Sequence, residues 1–170
     1  MGKNRVAILT VTAVLVFPLD LAGEGQTPCA HEDRAAIEAL MWRYLRALDT
    51  LDADAYARTY VEDGRFGSGE NAVVGRPALR GMIADMLASR SEGIAGGADP
   101  VPPMYHMITS AQLECTGKDR ARYQYYWMTV FAAPGVETPP RVAAAGRGID
   151  DLVRVQGEWL IVSRDVAPHD

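Results

Sequence analysis

The order of two periodic patterns constrains this chain most: helical spacing fills its N-terminal half and strand patterns fill the rest. Apolar residues recur three and four positions apart, which predicts an amphipathic first helix with one buried stripe. Asp33 is the predicted N-cap and Leu48 the predicted end. The stripe comprises Ile37, Leu40, Met41, Tyr44, Leu45 and Leu48.

Two further helices and a short strand follow. The second helix is predicted from Asp52 or Asp54 through Tyr60. A short strand is predicted near residues 65–67. The third helix is predicted from Ala78 to about Ser89, where Pro77 suits the first turn because its missing N–H is not needed there. Gly and Pro are frequent at 93–103, which predicts a long loop.

The C-terminal half contains four strand candidates rich in Val, Ile, Tyr and Trp. They are 104–114, 121–131, 141–155 and 159–166, with short hairpin connections at 117–119 and 156–158 and a longer loop at 133–140. Helices followed by strands predict an α+β domain rather than a doubly wound parallel sheet. We expect a strongly curved antiparallel sheet wrapped around the first helix and enclosing a pocket.

The N-terminus has the pattern of a secretory signal peptide. Lys3 and Arg5 precede an uncharged apolar run, 6–19, of 14 residues, too short for a typical membrane span of about 20. We predict a leader over 1–23, with cleavage after Gly23 or as late as Ala30, and export to the periplasm or medium. An uncleaved membrane anchor is the alternative. The mature chain then comprises a loose segment at 24–32, one domain at 33–167 and a tail at 168–170.

The two cysteines, Cys29 and Cys115, suit an oxidising compartment. A disulfide between them is possible, and a buried structural thiol at Cys115 is the alternative. A nucleophilic role for Cys115 is not favoured, because no base lies near it in the sequence.

Composition and motifs exclude several functions. The net charge of −5 and the absence of a Lys/Arg cluster argue against nucleic-acid binding. The sequence contains no phosphate loop, dinucleotide fingerprint or nucleophile elbow. One histidine in the predicted domain core and scattered carboxylates do not form a typical metal site. We therefore expect no cofactor and no metal.

Asp49 and His106 are the strongest candidates for chemistry. Asp49 ends the first helix, and His106 lies in an apolar strand where period two places it with Met104, Ile108 and Ser110. A carboxylate that faces the same pocket as an imidazole makes a general base. The simpler alternatives are a half-buried histidine with one hydrogen bond and a solvated carboxylate at a helix end.

Aromatic and basic residues supply further candidates. A tyrosine could donate a hydrogen bond to a substrate oxygen, although core packing is the commoner role of an aromatic residue. Alternation divides 121–131 into one face with Tyr123, Tyr125, Trp127 and Thr129 and another with Gln124, Tyr126 and Met128, and leaves open which face lines the pocket. Arg164 could bind an anionic group or pair with Asp150 or Asp165.

These features together resemble the SnoaL-like group of the nuclear transport factor two-like superfamily, across about 33–167. The resemblance implies a cone-shaped α+β barrel, a homodimer, and a histidine base oriented by an aspartate, here His106 and Asp49. Arg164 matches a pocket arginine of hexachlorocyclohexane dehydrochlorinase. Polyketide cyclases and scytalone dehydratase belong to the same group, and other members only bind small molecules. The motifs that carry the resemblance are 44–49, 63–66, 75–79, 106–110, 146–154, 157–159 and Arg164.

The sequence departs from these relatives at several points. Tyr44 stands where the dehydrochlorinase has a lysine, and no second core histidine matches that of the dehydratase. Gly148 replaces an aromatic residue, and we expect it to enlarge the cavity. The sequence therefore predicts an exported, cofactor-independent dehydratase, isomerase or cyclase for a small hydrophobic or polycyclic substrate. Its predicted pocket comprises Tyr44, Tyr125, Trp127, Gly148 and Arg164. The alternative is a non-catalytic ligand-binding protein or an accessory subunit.

Overall fold

The structure, a computed structural model, describes residues 29–98, 102–132 and 139–168. The predicted leader at 1–23 lies outside these ranges. None of the helices in the described ranges is both long and apolar enough to cross a membrane. The helices are α1 (His31–Thr50), α2 (Ala53–Arg58) and α3 (Arg76–Ala95). The strands are β1 (Tyr60–Phe66), β2 (Val73–Val74), β3 (Met104–Gly117), β4 (Arg120–Phe131), β5 (Arg141–Val155) and β6 (Glu158–Asp165).

The six strands form one curved, unclosed sheet in the order β2-β1-β6-β5-β4-β3. The α+β prediction is confirmed, with three helices packed with this sheet. The sheet is mixed, because β1 runs parallel to β6 while the other neighbours are antiparallel. The long connection from β1 through α3 to the hairpins allows this parallel pairing, which strand patterns alone do not reveal.

The stripe predicted on α1 forms the centre of the core. Ile37, Leu40, Met41 and Tyr44 are buried, whereas Leu45 and Leu48 are partly buried and line a cavity described below. These side chains pack against inward residues of β3 to β6, because successive strand residues alternate between the two faces of the sheet. The long helix therefore forms one wall of the space enclosed by the sheet.

The caps of the helices differ from the prediction at one point. Asp52, one of the two predicted starts of the second helix, is the N-cap of α2, since its Oδ1 accepts a hydrogen bond from the Ala55 amide at 2.9 Å; the helix ends at Arg58, before the predicted Tyr60. The prediction that Asp33 caps α1 is wrong, because α1 begins two residues earlier and its N-cap is Ala30. The Asp33 carboxylate instead accepts hydrogen bonds from Arg154 at 2.6 Å and from the Trp159 indole at 3.1 Å.

A β-bulge at Ser110 changes which residues of β3 face inward. Ser110 has a φ of +51°, and the register with β4 shifts between Thr109 and Gln112. An extra residue in one strand reverses the alternation beyond it. His106 therefore faces inward before the bulge and Leu113 after it, while Ser110 is exposed. The prediction that Ser110 shares a face with His106 is wrong for this reason.

A disulfide joins Cys29 to Cys115, with their Cα atoms 5.0 Å apart. The structure thus selects the first of the two alternatives that the sequence left open for these cysteines. The bond connects residues 86 positions apart and fastens the start of α1 to β3. Closing so long a loop restricts the unfolded chain, which stabilises the folded state.

We predict that Cys115→Ser lowers the free energy of unfolding by about 2–5 kcal/mol, because the unfolded chain regains the freedom that the bond removes. Urea denaturation of the oxidised protein measures the change. Dithiothreitol should destabilise the wild type by a similar amount and leave the variant unchanged. Equal sensitivity of both proteins to dithiothreitol would contradict the assignment.

Candidate active site

A single carboxylate oxygen holds His106 in place. Asp49 Oδ1 lies 2.8 Å from His106 Nδ1 and also accepts a hydrogen bond from the His106 backbone N–H at 2.9 Å. The Asp49 side chain is 10% exposed and the His106 side chain 19% exposed, so water competes little for either group. Two contacts to one oxygen fix both the strand backbone and the ring of this histidine.

The elements explain why these two residues meet. β3 is an edge strand, and the N–H of His106 points away from β4, where no further strand can accept it. Asp49 lies in the last turn of α1 and supplies the missing acceptor. The helix end thus covers an open strand edge with a charged acceptor.

The hydrogen bond to Asp49 defines the chemistry open to the imidazole ring. A carboxylate only accepts hydrogen bonds, so Nδ1 carries a proton in the neutral ring. The other ring nitrogen, Nε2, then has a free lone pair, and no residue in the described ranges engages it. An imidazole in this tautomer can take up a proton at Nε2 while the carboxylate stabilises the resulting positive charge.

His106 lines a cavity of about 230 Å³ between α1 and the concave side of the sheet. Its walls are mainly aliphatic and aromatic, and they come from one helix and five strands or strand ends. The lining residues are Tyr44, Leu45, Leu48, Phe66, His106, Met107, Ile108, Tyr125, Trp127, Thr129, Ala144, Arg164 and Val166. The face of β4 that carries Tyr125 and Trp127 is therefore the inner one.

The polar atoms of the predicted aromatic residues are used inside the protein. The Trp127 indole donates to the carbonyl oxygens of Arg147 at 3.1 Å and Val166 at 2.9 Å. The Tyr125 hydroxyl donates to Asp150 Oδ1 at 3.0 Å. The Tyr44 hydroxyl lies 3.4 Å from that of Tyr56. These side chains therefore present ring surface to the cavity rather than free hydrogen-bonding groups.

The expectation that Gly148 enlarges the cavity is wrong, because the Tyr125 ring fills the space beside it. It lies directly across from Tyr125 in the register of β4 and β5, and a Cβ atom at Gly148 would overlap the Tyr125 ring. The same relation holds two pairs along, where a Cβ at Gly146 would lie 2.8 Å from the Trp127 ring. The missing side chains of β5 leave room for the two aromatic rings of β4, and those rings line the cavity.

A buried ion pair lies beneath the cavity. Arg164 Nη2 is 3.4 Å from Asp150 Oδ2, and both side chains are almost fully buried. The Arg164 guanidinium also stacks on the Tyr44 ring at 3.7 Å and lies 5.0 Å from the Tyr125 ring centroid. Of the two partners that the sequence left open, Asp150 is the one observed. Arg164 lines the cavity, but its guanidinium group mainly contacts Asp150 and the Tyr44 ring inside the protein.

Burial dominates the ionisation of Asp150. Loss of water raises the pKa of Asp150 to about 6, against the opposing influence of Arg164 and of the Tyr125 hydrogen bond. Burial likewise raises the pKa of the Tyr125 and Tyr56 hydroxyls, which stay protonated at neutral pH. Neither tyrosine is therefore suited to act as a base.

Thr129 is the polar residue of the cavity that the sequence did not single out. It lies directly opposite His106 across β3 and β4 and is 7% exposed. Its hydroxyl has no hydrogen-bond partner within the described ranges. The alternation of side chains along β4 is enough to predict that Thr129 shares a face with Tyr125 and Trp127. Its position opposite His106 depends on the register of β3 and β4, which is set by the turn that joins them and by the bulge at Ser110. Thr129 Oγ1 and His106 Nε2 are thus the two groups of the wall open to a ligand.

Within the described ranges, no three His, Cys, Asp or Glu side chains converge in a way that could hold a metal ion.

Comparison with known families agrees with this architecture. A family model for the SnoaL-like domain matches residues 30–165. The chain belongs to this family. Among curated proteins none matches the sequence significantly.

Solved structures with this fold include three from bacteria. A nuclear transport factor two-like protein with a cystatin-like fold from Novosphingobium aromaticivorans is 23% identical, with a TM-score of 0.63 and coverage of 82% of this chain and 83% of the other. A provisional scytalone dehydratase from the same species is 21% identical, with a TM-score of 0.59 and coverages of 79% and 82%. ActVI-ORFA from Streptomyces coelicolor is 21% identical, with a TM-score of 0.65 and coverages of 80% and 96%. At these identities the likeness establishes the fold of this SnoaL-like domain.

We predict a pH-dependent contribution of Asp150 to the stability of the SnoaL-like domain. Since its pKa is raised from 3.8 to about 6 on folding, the folded state holds the proton more tightly than the unfolded state. This contribution to the free energy of unfolding is fully present below about pH 4. It is lost as the pH rises through about 6, and the total loss is about 3 kcal/mol. Urea denaturation between pH 4 and 7 measures it for the wild type and Asp150→Asn.

The difference in unfolding free energy between wild type and Asp150→Asn should decrease over that range, because the asparagine cannot ionise. Asp151→Asn is the matched control, since the neighbouring Asp151 is 47% exposed and pairs with Arg122 at the surface. That variant should keep the pH dependence of the wild type. A constant difference between wild type and Asp150→Asn would refute the prediction.

Proposed function

We propose that this SnoaL-like protein is an exported, cofactor-independent enzyme in which His106 removes a proton from a small, largely apolar substrate. The observation that carries the proposal is the geometry of Asp49 Oδ1, which lies 2.8 Å from His106 Nδ1 and leaves Nε2 open to the cavity. Asp49 is proposed as a positioning residue and His106 as the catalytic base. The cavity supports this proposal because its mainly apolar walls leave few other polar groups beside the base.

The proposed reaction begins with transfer of a proton from a substrate C–H bond to His106 Nε2. The electron pair of that bond can form a carbon–carbon double bond as a leaving group departs from the neighbouring carbon, which is an elimination. Alternatively, the pair is delocalised into a carbonyl group and reprotonated or joined to another carbon, which is an isomerisation or a cyclisation. Asp49 stabilises the imidazolium that forms in each case, and a positioned base of this kind contributes about 10²–10⁴-fold in rate.

The walls limit the substrates that fit. A volume of about 230 Å³ lined mainly by carbon atoms suits a small, compact, hydrophobic molecule, and a larger polycyclic one would have to extend through the opening. The free Thr129 hydroxyl lies across from His106 and is suited to bind a substrate carbonyl or hydroxyl oxygen. A relative with this fold carries the name of a scytalone dehydratase, which supports the elimination branch.

We predict that His106→Gln lowers the turnover number by about 10²–10⁴-fold, because glutamine cannot act as the base. Asp49→Asn should lower it with little change in KM, since the amide keeps the shape of the carboxylate without its charge. Thr129→Val should mainly raise KM. The test substrates are a panel of aryl ketones and β-hydroxy ketones. Proton removal is measured by NMR in D₂O, where the signal of the acidic C–H group disappears as deuterium replaces the proton.

The control for this experiment is His31→Gln. His31 is an exposed histidine at the start of α1, far along the helix from Asp49, and should leave exchange and turnover unchanged. Addition of imidazole to His106→Ala should restore part of the rate if the ring acts as the base. Undiminished proton exchange in both His106→Gln and Asp49→Asn would end the proposal.

A second candidate function is the binding of a hydrophobic ligand without reaction. It is favoured by one observation: the polar atoms of Tyr44, Tyr125 and Trp127 are satisfied internally, so most of the wall offers only contact surface. In this case His106 Nε2 would accept a hydrogen bond from a hydroxyl or N–H group of the ligand. The two candidates differ in whether a bound molecule is chemically changed.

Export and dimerisation are parts of the proposal supported by other observations. The Cys29–Cys115 disulfide is typical of an oxidising compartment. Cleavage after Ala30 would remove Cys29, so we propose cleavage after Gly23. Tyr105, Tyr126 and Val142 are 47%, 59% and 57% exposed and lie on the outer face of the sheet. Such an apolar face supports pairing of two copies through the sheet.

Native mass spectrometry of the protein from an exporting host tests these points together. We expect a dimer of chains that begin at Glu24, carry the disulfide and hold no small molecule. A retained hydrophobic molecule that the protein leaves unchanged would favour the binding function instead. Monomers with the leader attached would refute both the cleavage and the pairing.

A further inference from the structure

A second, larger concavity lies on the other side of α1. It measures about 590 Å³ and is bounded by α1, α2 and the start of β6. We call it the arginine groove, and its lining comprises Trp42, Arg43, Arg46, Ala47, Thr50, Asp52, Ala55, Arg58, Thr59, Glu158 and Leu160. At 100° per residue, its α1 residues lie roughly half a turn from those that face the His106 cavity. The groove is therefore separate from the proposed active site.

Unpaired positive charge is concentrated in this groove. Four arginines of the described ranges have a guanidinium without a hydrogen bond, ion pair or ring contact, and three of them, Arg43, Arg46 and Arg58, line the groove. The fourth, Arg120, lies elsewhere, at the start of β4. Arg58 adds only weakly to the lowering of the pKa of Asp54, whose main partner is Arg80.

The two acidic residues of the groove offset only part of the positive charge of its three arginines. Asp52 uses Oδ1 to cap α2, and neither Asp52 nor Glu158 forms an ion pair with a groove arginine. On a chain with a net charge of −5, the groove lining carries three guanidinium groups against two carboxylates, so its local excess of charge is positive. An anion that binds between these groups would reduce the repulsion between their positive charges.

Trp42 adds a hydrophobic contact to the charge. Its side chain is 67% exposed, whereas Trp159 is buried and Trp127 partly buried. Tryptophan and arginine are the residues most enriched at the energetic centres of protein interfaces. An exposed indole ring beside guanidinium groups suits a ligand that combines apolar side chains with carboxylates.

We propose that the arginine groove binds an acidic segment of a partner protein, with carboxylates on Arg43, Arg46 and Arg58 and an apolar side chain against Trp42. The arginines come from two helices, so several spaced carboxylates match them better than one small anion. At about 590 Å³, the groove is also larger than the His106 cavity of about 230 Å³, which leaves room for several residues of an extended chain. Binding here is independent of the chemistry proposed for His106.

The test uses the disulfide-bonded protein and a Glu–Tyr copolymer in a 4:1 ratio as the probe. Binding should change the fluorescence of Trp42, weaken as salt is added, and disappear with a Lys–Tyr copolymer. Arg46→Gln should weaken binding by about 5- to 10-fold, the loss of one charge-assisted hydrogen bond. Arg120→Gln is the matched control, since it removes one equally unpaired charge outside the groove.

Equal weakening by Arg46→Gln and Arg120→Gln would overturn the proposal, because it would show attraction by overall charge alone. Absence of binding at low salt would overturn it as well. Competition by 2-naphthoate at the same carboxylate concentration would overturn the choice of a protein segment in favour of a small aromatic anion. Trp42→Phe should abolish the fluorescence change and keep binding detectable by anisotropy of a labelled copolymer, which locates the site.

Discussion

The fully buried guanidinium of Arg164 is the interaction on which the architecture of this domain depends. It comes from β6, pairs with Asp150 on β5, stacks on Tyr44 of α1 and lies near Tyr125 of β4. A buried charge is costly unless it is paired, so these partners have to keep their relative positions. Because the same side chain lines the cavity, the packing around Arg164 also forms part of the cavity wall.

A second constraint fixes α1 along the free edge of β3. The disulfide holds the start of the helix at Cys115, and Asp49 holds its end at His106. A helix of 20 residues spans roughly 30 Å, and the nine steps from His106 to Cys115 span roughly the same length of strand. The helix therefore lies antiparallel to β3 and is attached at both ends. This attachment explains how a residue at a helix terminus, where chains usually fray, can hold an imidazole in one orientation.

The sequence predicted those parts of the structure that depend on local periodicity. The α1 stripe and the four long strands follow from spacing of three and four or of two, and all are observed. The bulge at Ser110 was not predictable, because an αL residue other than glycine leaves little trace in composition. The role of Asp33 depends on Arg154 and Trp159, more than 100 positions away, so a local capping rule selected the wrong partner. The effect of Gly148 on the cavity was likewise not predictable, because the space left by its missing side chain is filled by the Tyr125 ring on the neighbouring strand.

The distinction between a binding cup and an active site rests on which polar atoms of the wall remain free. Fold alone cannot decide it, since the same architecture serves many functions. Here the aromatic hydroxyl and indole groups are bound internally, which leaves His106 Nε2 and Thr129 Oγ1 open to a ligand. A binding pocket that holds its ligand through Nε2 requires a defined tautomer but no charged acceptor behind the ring. Asp49 provides both, and a carboxylate that served only to cover a strand edge and fix the tautomer could be replaced by a neutral amide. The charge on Asp49 is therefore the feature that distinguishes the two functions: it stabilises a base that becomes positive, whereas binding through a neutral Nε2 needs only the tautomer that a neutral acceptor could also fix.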